Sequence, residues 1–186
     1  KRLISLGEEK FRIFNVGAPQ IDEIKNNEIT SKSEIKKKYD FNFNKKFVLV
    51  ILHPVTEEFS NIDDQTEELF KALNEFNLNF VWICPNNDAG SLLIKNKILH
   101  KRKINNTIFE NLSRKDFLCF LKNCECLVGN SSSGLLEAPS FKKPSINIGR
   151  RQHLRVRAKN VIDCSFKSKD IVKAIKKGLS VNFKKS

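Results

Sequence analysis

Apolar runs of strand length recur along the chain, at residues 12–17 (RIFNVG), 47–52 (FVLVIL), 80–84 (FVWIC), 106–110 (NTIFE), 126–130 (CLVGN), 144–149 (PSINIG) and 160–164 (NVIDC). They are continuous rather than alternating in polarity, which is expected of strands covered on both faces. Between them the pattern changes to a helical period. Residues 63–76 place Leu69, Phe70, Leu73 and Phe76 on one stripe, and 113–124 open on Ser113, a candidate N-cap, and carry Phe117, Leu118, Phe120 and Leu121. Residues 168–179 open on Ser168 and turn Ile171, Val172, Ile175 and Leu179 inward. Alternation of strand and helix predicts an α/β fold, a doubly wound, Rossmann-like parallel sheet with right-handed crossovers.

The first forty residues follow another pattern. One strand-like run leads into GAPQIDEI and then a polar, Lys-rich helix, SKSEIKKKY, at 31–39. Residues 40–46 (DFNFNKK) read as a linker. The expected units are therefore 1–40, the end of an upstream domain with its crossover, and 41–186, the doubly wound domain. No Met occurs in the chain, the initiator included, so a piece of a longer polypeptide is expected. No internal repeat or low-complexity block is present.

Open parallel sheets bind ligands outside the carboxyl ends of their strands, so the residues after each run matter most. These are His53, Pro54 and Thr56; Pro85, Asn86, Asp88 and Gly90; Asn111, Leu112 and Ser113; the SSSG turn at 131–134; and RRQHLRVR at 150–157, with four Arg in eight residues. Hydroxyls, one His and several Arg on one rim suit an anionic ligand. The serines could equally be a helix start: with Gly134 as N-cap, Glu137 falls at N3, within reach of the N-cap amide.

Composition narrows the classes. The net charge of +13 is carried largely by scattered Lys, with no recognised nucleic-acid motif. No apolar run approaches the roughly 18–20 residues of a membrane span, and KRLISLGEEK breaks into charge too soon for a signal peptide. The five Cys, an odd number without C-x-x-C spacing, read as free thiols in a reducing cytoplasm. No His or Cys pair has metal-ligand spacing, so no metal site is expected. Neither a Walker motif nor G-x-G-x-x-G is present.

LHPVT, PNNDAG, the stretch from FENLSRKDF through VGNSSSGLLEAPSF to NIGRRQ, and RAKNVID together resemble the hydrolysing UDP-N-acetylglucosamine 2-epimerases of sialic-acid-type pathways, from about Phe11 to Ile175. The resemblance implies the C-terminal domain of a glycosyltransferase-B-like fold that holds UDP. The implied reaction is a cofactor-free, metal-free elimination of UDP across C1–C2, followed by hydration of the glycal to N-acetylmannosamine or a diacetamido-trideoxy relative. It implies His53 beside the phosphates as the catalytic group of this chain, Asn86 in nucleotide contacts, and Phe117 near the uracil with the Asn111 backbone close by. It further implies Ser131 and Ser132 on the diphosphate, Glu137 on the ribose hydroxyls, and Arg151 as the Arg of R-Q. Leu154 stands where that family usually has Gly. The general acid and base carboxylates of that family lie in its N-terminal domain, so this chain alone is expected to be inactive. The implied partner is UDP-N-acetylglucosamine or a related UDP-sugar, in a cytoplasmic homodimer or higher homo-oligomer of the full-length protein serving cell-surface polysaccharide synthesis, with neither nucleic acid nor membrane. Two alternatives stand beside it: a UDP-sugar-dependent glycosyltransferase of the same fold, and a basic nucleic-acid-binding domain.

Overall fold

A computed structural model describes residues 1–26, 28–101 and 106–185. Residues 27, 102–105 and 186, spanned by the expected units 1–40 and 41–186, lie outside the described residues. Six of the seven apolar runs form strands: β1 Phe47–Ile51, β2 Asn79–Ile83, β3 Asn106–Phe109, β4 Leu127–Gly129, β5 Ser145–Ile148 and β6 Val161–Cys164. All pairings are parallel, in the order β3-β2-β1-β4-β5-β6. This is the doubly wound, Rossmann-like order expected, with the winding reversing between β1 and β4.

Alternate residues of the continuous runs point to opposite faces, so each face has its own core. Val48, Val50, Leu52 and Trp82 pack on one side with Leu69, Phe70 and Leu73 of the helix Ile62–Asn74, and with Ile171 and Ile175 of the helix Ser168–Leu179. Leu49, Ile51, Val81 and Leu127 face the other side, against Phe120 and Leu121 of the helix Arg114–Asn123 and Ile35 of the helix Lys32–Tyr39. Ser113 caps the first of that second pair as expected, accepting a hydrogen bond from the Asp116 amide, and Ser31 and Glu34 form a capping box on the other.

Three expectations differ. The run 12–17 is not a strand: Lys10–Arg12 form a 3-10 turn, and Phe14 and Val16 are exposed. Extended propensity has no ladder to join there. In 40–46, read as a linker, Phe41 and Phe43 pack onto the domain while the residues around them are exposed. Phe41 and Phe43 meet Phe47 and Phe120 at ring-centroid distances of 4.9–6.1 Å. A helix at Ser91–His100 was not anticipated, because its leucines 92, 93 and 99 face outward and blur the stripe that Ile94 and Ile98 bury.

Buried Asp116 ties the segment before β1 to the domain. It accepts hydrogen bonds from Thr30 Oγ1 (2.7 Å), Lys38 Nζ (2.6 Å) and Tyr39 Oη (2.7 Å). Burial alone would raise its pKa, but these donors hold the carboxyl well below the usual carboxylate range.

Candidate functional site

The crevice outside the carboxyl ends of β1 and β4 opens into a cavity of about 560 Å3, a size suited to a small-molecule ligand. Seven of the eight expected residues line it: His53, Asn86, Asn111, Phe117, Ser131, Ser132 and Glu137. Arg151 lines a second cavity of about 510 Å3, together with Arg150, Asp88 and Thr56. It is still close enough for its charge to act on His53.

His53 follows β1 by two residues and is held on three sides. Its main-chain N–H donates to Asn130 Oδ1 (2.7 Å), its carbonyl accepts from Asn130 Nδ2 (2.8 Å), and its Nδ1 accepts from the Asn86 N–H (3.2 Å). A neutral imidazole that accepts at Nδ1 carries its proton on Nε2. The ring therefore offers the cavity a donor. Burial, reinforced by the Arg151 charge, lowers its pKa to about 4. Protonation is disfavoured in the fold, whereas the unfolded side chain titrates near 6.5. The stability owed to a neutral His53 is thus complete above about pH 6.5 and fades as pH falls towards 4. In His53→Gln, the urea midpoint is expected to drop less between pH 7 and pH 5 than in wild type. Equal drops would mean that His53 charges freely.

The serine turn does open a helix, with Ser132 at its N-cap position, but not the one with Gly134 as N-cap. The helix is a single turn, Ser133–Leu136, running into a 3-10 turn at Ala138–Phe141, and Glu137 sits at their junction rather than at N3. The Gly134 amide donates to Ser131 O (3.2 Å), not to Glu137. Ser131 Oγ lies 2.8 Å from Ser133 Oγ, while the Ser132 side chain makes no cap bond. Gly134 is closely covered by side chains, since a Cβ there would lie 2.1 Å from Ser145 Oγ.

Glu137 is 5% exposed. One oxygen, Oε1, meets an Arg114 guanidinium nitrogen at 2.7 Å, and Oε2 is buried with no hydrogen-bond partner among the described residues. Arg114 was missed in the sequence, although it directly follows a rim cap residue. Its other nitrogens reach Glu23 (2.8 Å) and the Gln20 carbonyl (2.9 Å), and its guanidinium lies 5.8 Å from the Phe117 ring centre. The cluster after β5 divides. Arg151 and buried Gln152 face inward, whereas exposed Arg157 pairs with Asp163. Leu154 adopts the left-handed conformation (φ 63°) that a Gly would take without strain. Cys84 lines the cavity, but burial pushes its thiol pKa up, away from the reactive thiolate. No group of three or more His, Cys, Asp or Glu that could hold a metal occurs among the described residues.

A doubly wound parallel sheet with hydroxyl, amide and Arg donors at its switch point defines a Rossmann-like domain of glycosyltransferase-B type, its crevice fit for an anion. The profile of the UDP-N-acetylglucosamine 2-epimerase family matches residues 1–186, and the chain belongs to that family. It is 36% identical over 183 residues to a UDP-N,N'-diacetylbacillosamine 2-epimerase (hydrolyzing) of Legionella pneumophila, covering 97% of this chain and 48% of the relative. It is also 36% identical over 195 residues to a GDP/UDP-N,N'-diacetylbacillosamine 2-epimerase (hydrolyzing) of Campylobacter jejuni, covering 100% and 49%. The chain therefore spans about half the length of the curated relatives it matches. Its fold superposes on Methanocaldococcus jannaschii UDP-GlcNAc 2-epimerase, in complex with UDP-GlcNAc and UDP, with a TM-score of 0.73 at 22% identity, covering 96% of this chain and 51% of that one. No helix among the described residues is long and apolar enough to cross a membrane.

Proposed function

We propose that this chain is the UDP-binding, C-terminal part of a hydrolysing UDP-sugar 2-epimerase. The observation that carries the reading is Glu137, which lines a cavity otherwise rich in donors and whose buried Oε2 has no hydrogen-bond partner among the described residues. An unpaired buried carboxylate oxygen is costly, and a pair of vicinal ribose hydroxyls would satisfy it. Phe117 then offers a face for the uracil beside Asn111, with Asn86 contacting the nucleotide. Ser131, Ser132, His53 Nε2 and Arg151 serve the diphosphate. The C1–O bond to UDP breaks as a proton leaves C2, giving a glycal and UDP, and water then adds across C1=C2 to release the 2-epimer. This chain's part is to stabilise the charge growing on departing UDP. The acid and base carboxylates belong to the other half, with residues 1–40 at the crossover between the two, so the chain alone is inactive. The sugar is UDP-N-acetylglucosamine or its diacetamido-trideoxy analogue. The names of the two relatives support the latter. The assignment to a cytoplasmic, oligomeric enzyme supplying sialic- or legionaminic-acid-type sugars for surface polysaccharide rests on the same reading.

Titration calorimetry with UDP and 2′-deoxy-UDP tests it. A carboxylate accepting both ribose hydroxyls is expected to favour UDP by at least about 10-fold, roughly 1.4 kcal/mol. In Glu137→Gln that ratio is expected to fall towards unity. A ratio unchanged by the substitution would leave Glu137 only as the partner of Arg114.

A further inference from the structure

The sequence singled out His53 and Arg151 from two separate rims, and what joins them is Asn130, a residue 1% exposed at the end of β4. Strand pairing between β1 and β4 stops at Ile51 and Gly129, and the Asn130 amide makes one further rung to Ile51 O (3.1 Å). Beyond that the backbones no longer pair. The Asn130 side chain replaces the ladder, pairing with both main-chain groups of His53 at 2.7 and 2.8 Å. On the opposite side, its own carbonyl accepts from Gln152 Nε2 (2.8 Å) and, more loosely, from Arg151 Nη1 (3.4 Å). Gln152 is 1% exposed and its Oε1 has no hydrogen-bond partner among the described residues. A buried amide that leaves its acceptor unpaired is kept at a cost, and its one side-chain bond is to Asn130.

We infer that Asn130 is a positioning residue that sets the separation and orientation of His53 and Arg151, with Gln152 as its brace. The inference rests on the UDP-diphosphate reading above. Asn130 itself need touch no ligand. It places the imidazole at one end and the guanidinium at the other so that both address the same anion, and a small displacement of either costs rate rather than affinity. An amide is required because it must donate and accept at once. Asp, of the same shape, would present an acceptor to the His53 carbonyl and put a negative charge against the His53 main chain, in addition to Arg151 and Asp88, the charged groups already acting on the imidazole.

The test uses the intact protein with its sugar nucleotide, together with NMR titration of the His53 ring. Asn130→Asp is expected to lower kcat at least about 30-fold, with the Kd for uridine within about threefold of wild type, because the nucleoside end is untouched. Its His53 pKa should rise from about 4 towards the ordinary value for histidine. Gln152→Leu guards against a folding failure in that variant. The variant removes a buried unpaired acceptor together with the donor to the Asn130 carbonyl, so the two effects oppose and the melting temperature should change little, while kcat still falls at least about fivefold as Asn130 and Arg151 lose their brace. A residue with a merely structural role would move stability and rate together. Wild-type kcat in both variants, or wild-type kcat with an unmoved His53 titration in Asn130→Asp, overturns the inference. Failure of the wild type to bind UDP overturns the functional reading instead, and the His53 titration still reports on Asn130.

Discussion

Replacing Arg151 by alanine is expected to lower kcat/KM of the intact enzyme about 100-fold or more, roughly 2.7 kcal/mol of lost transition-state stabilisation. Four arginines lie between 150 and 157, and the structure separates them. Arg157 is taken by Asp163, whereas Arg151 is half-buried in the neighbouring cavity with one long hydrogen bond among the described residues, to the Asn130 carbonyl at 3.4 Å. Its fork is therefore available, and its charge already reaches His53. In the proposed reaction negative charge on UDP grows as the C1–O bond breaks, so a cation fixed nearby would lower the barrier more than it strengthens substrate binding. Arg151→Lys is expected to recover only part of the rate, because a point charge replaces two parallel donors. Steady-state kinetics on the two variants provides the measurement, and a wild-type rate in Arg151→Ala would return this residue to the solvated part of the cluster.

Gly129→Ala is expected to remove more than about 4 kcal/mol of stability, placing it among the severe single substitutions. Gly129 is the last paired residue of β4, opposite Ile51 of β1, and it lies at φ 136°, where side chains are disfavoured. A Cβ there would sit 1.8 Å from the Ile51 carbonyl oxygen and 2.6 Å from its carbon. Both atoms are main chain of a central strand and cannot swing aside. Relief would require β1 and β4 to part at the switch point, taking His53 and Asn130 with them. Gly178→Ala is the control. Its Cβ would meet the flexible Cδ1 of Ile146 at 3.0 Å from within the helix Ser168–Leu179. Its urea midpoint is expected to shift by less than about 1 kcal/mol equivalent. A Gly129→Ala protein that unfolds cooperatively at the wild-type midpoint would refute this account of the strand pair.

Much of the architecture is legible without coordinates because burial writes itself into local pattern. Strands covered on both faces are largely apolar, and the runs at 47–52 and 80–84 are so throughout, while 126–130 and 144–149 admit only Asn130, Ser145 and Asn147 as polar residues. Helices covered on one face must show a stripe, as 63–76 and 168–179 do. Once winding is right-handed and parallel, the ends of those strands converge on one rim, and seven candidate residues found from rim position and resemblance line one cavity. Where local pattern misled, the deciding partner was distant in sequence. Residues 12–17 carry a strand's composition but join no ladder, and Phe41 and Phe43 look like linker residues until Phe120 is folded onto them.

The sequence by itself determined the α/β class, the six runs that became the sheet, and the residue types at the rim, because each follows from short-range periodicity and from what must stand at a strand's end. Only the tertiary structure decided that Glu137 answers to Arg114 instead of capping its own helix, that Arg150 and Arg151 line the neighbouring cavity while Arg157 is taken by Asp163, and that Asn130 joins His53 to the loop after β5. Those outcomes depend on which donors and acceptors are left unpaired once the strands have packed. That is a property of groups 20 to 80 positions apart, and no local pattern contains it.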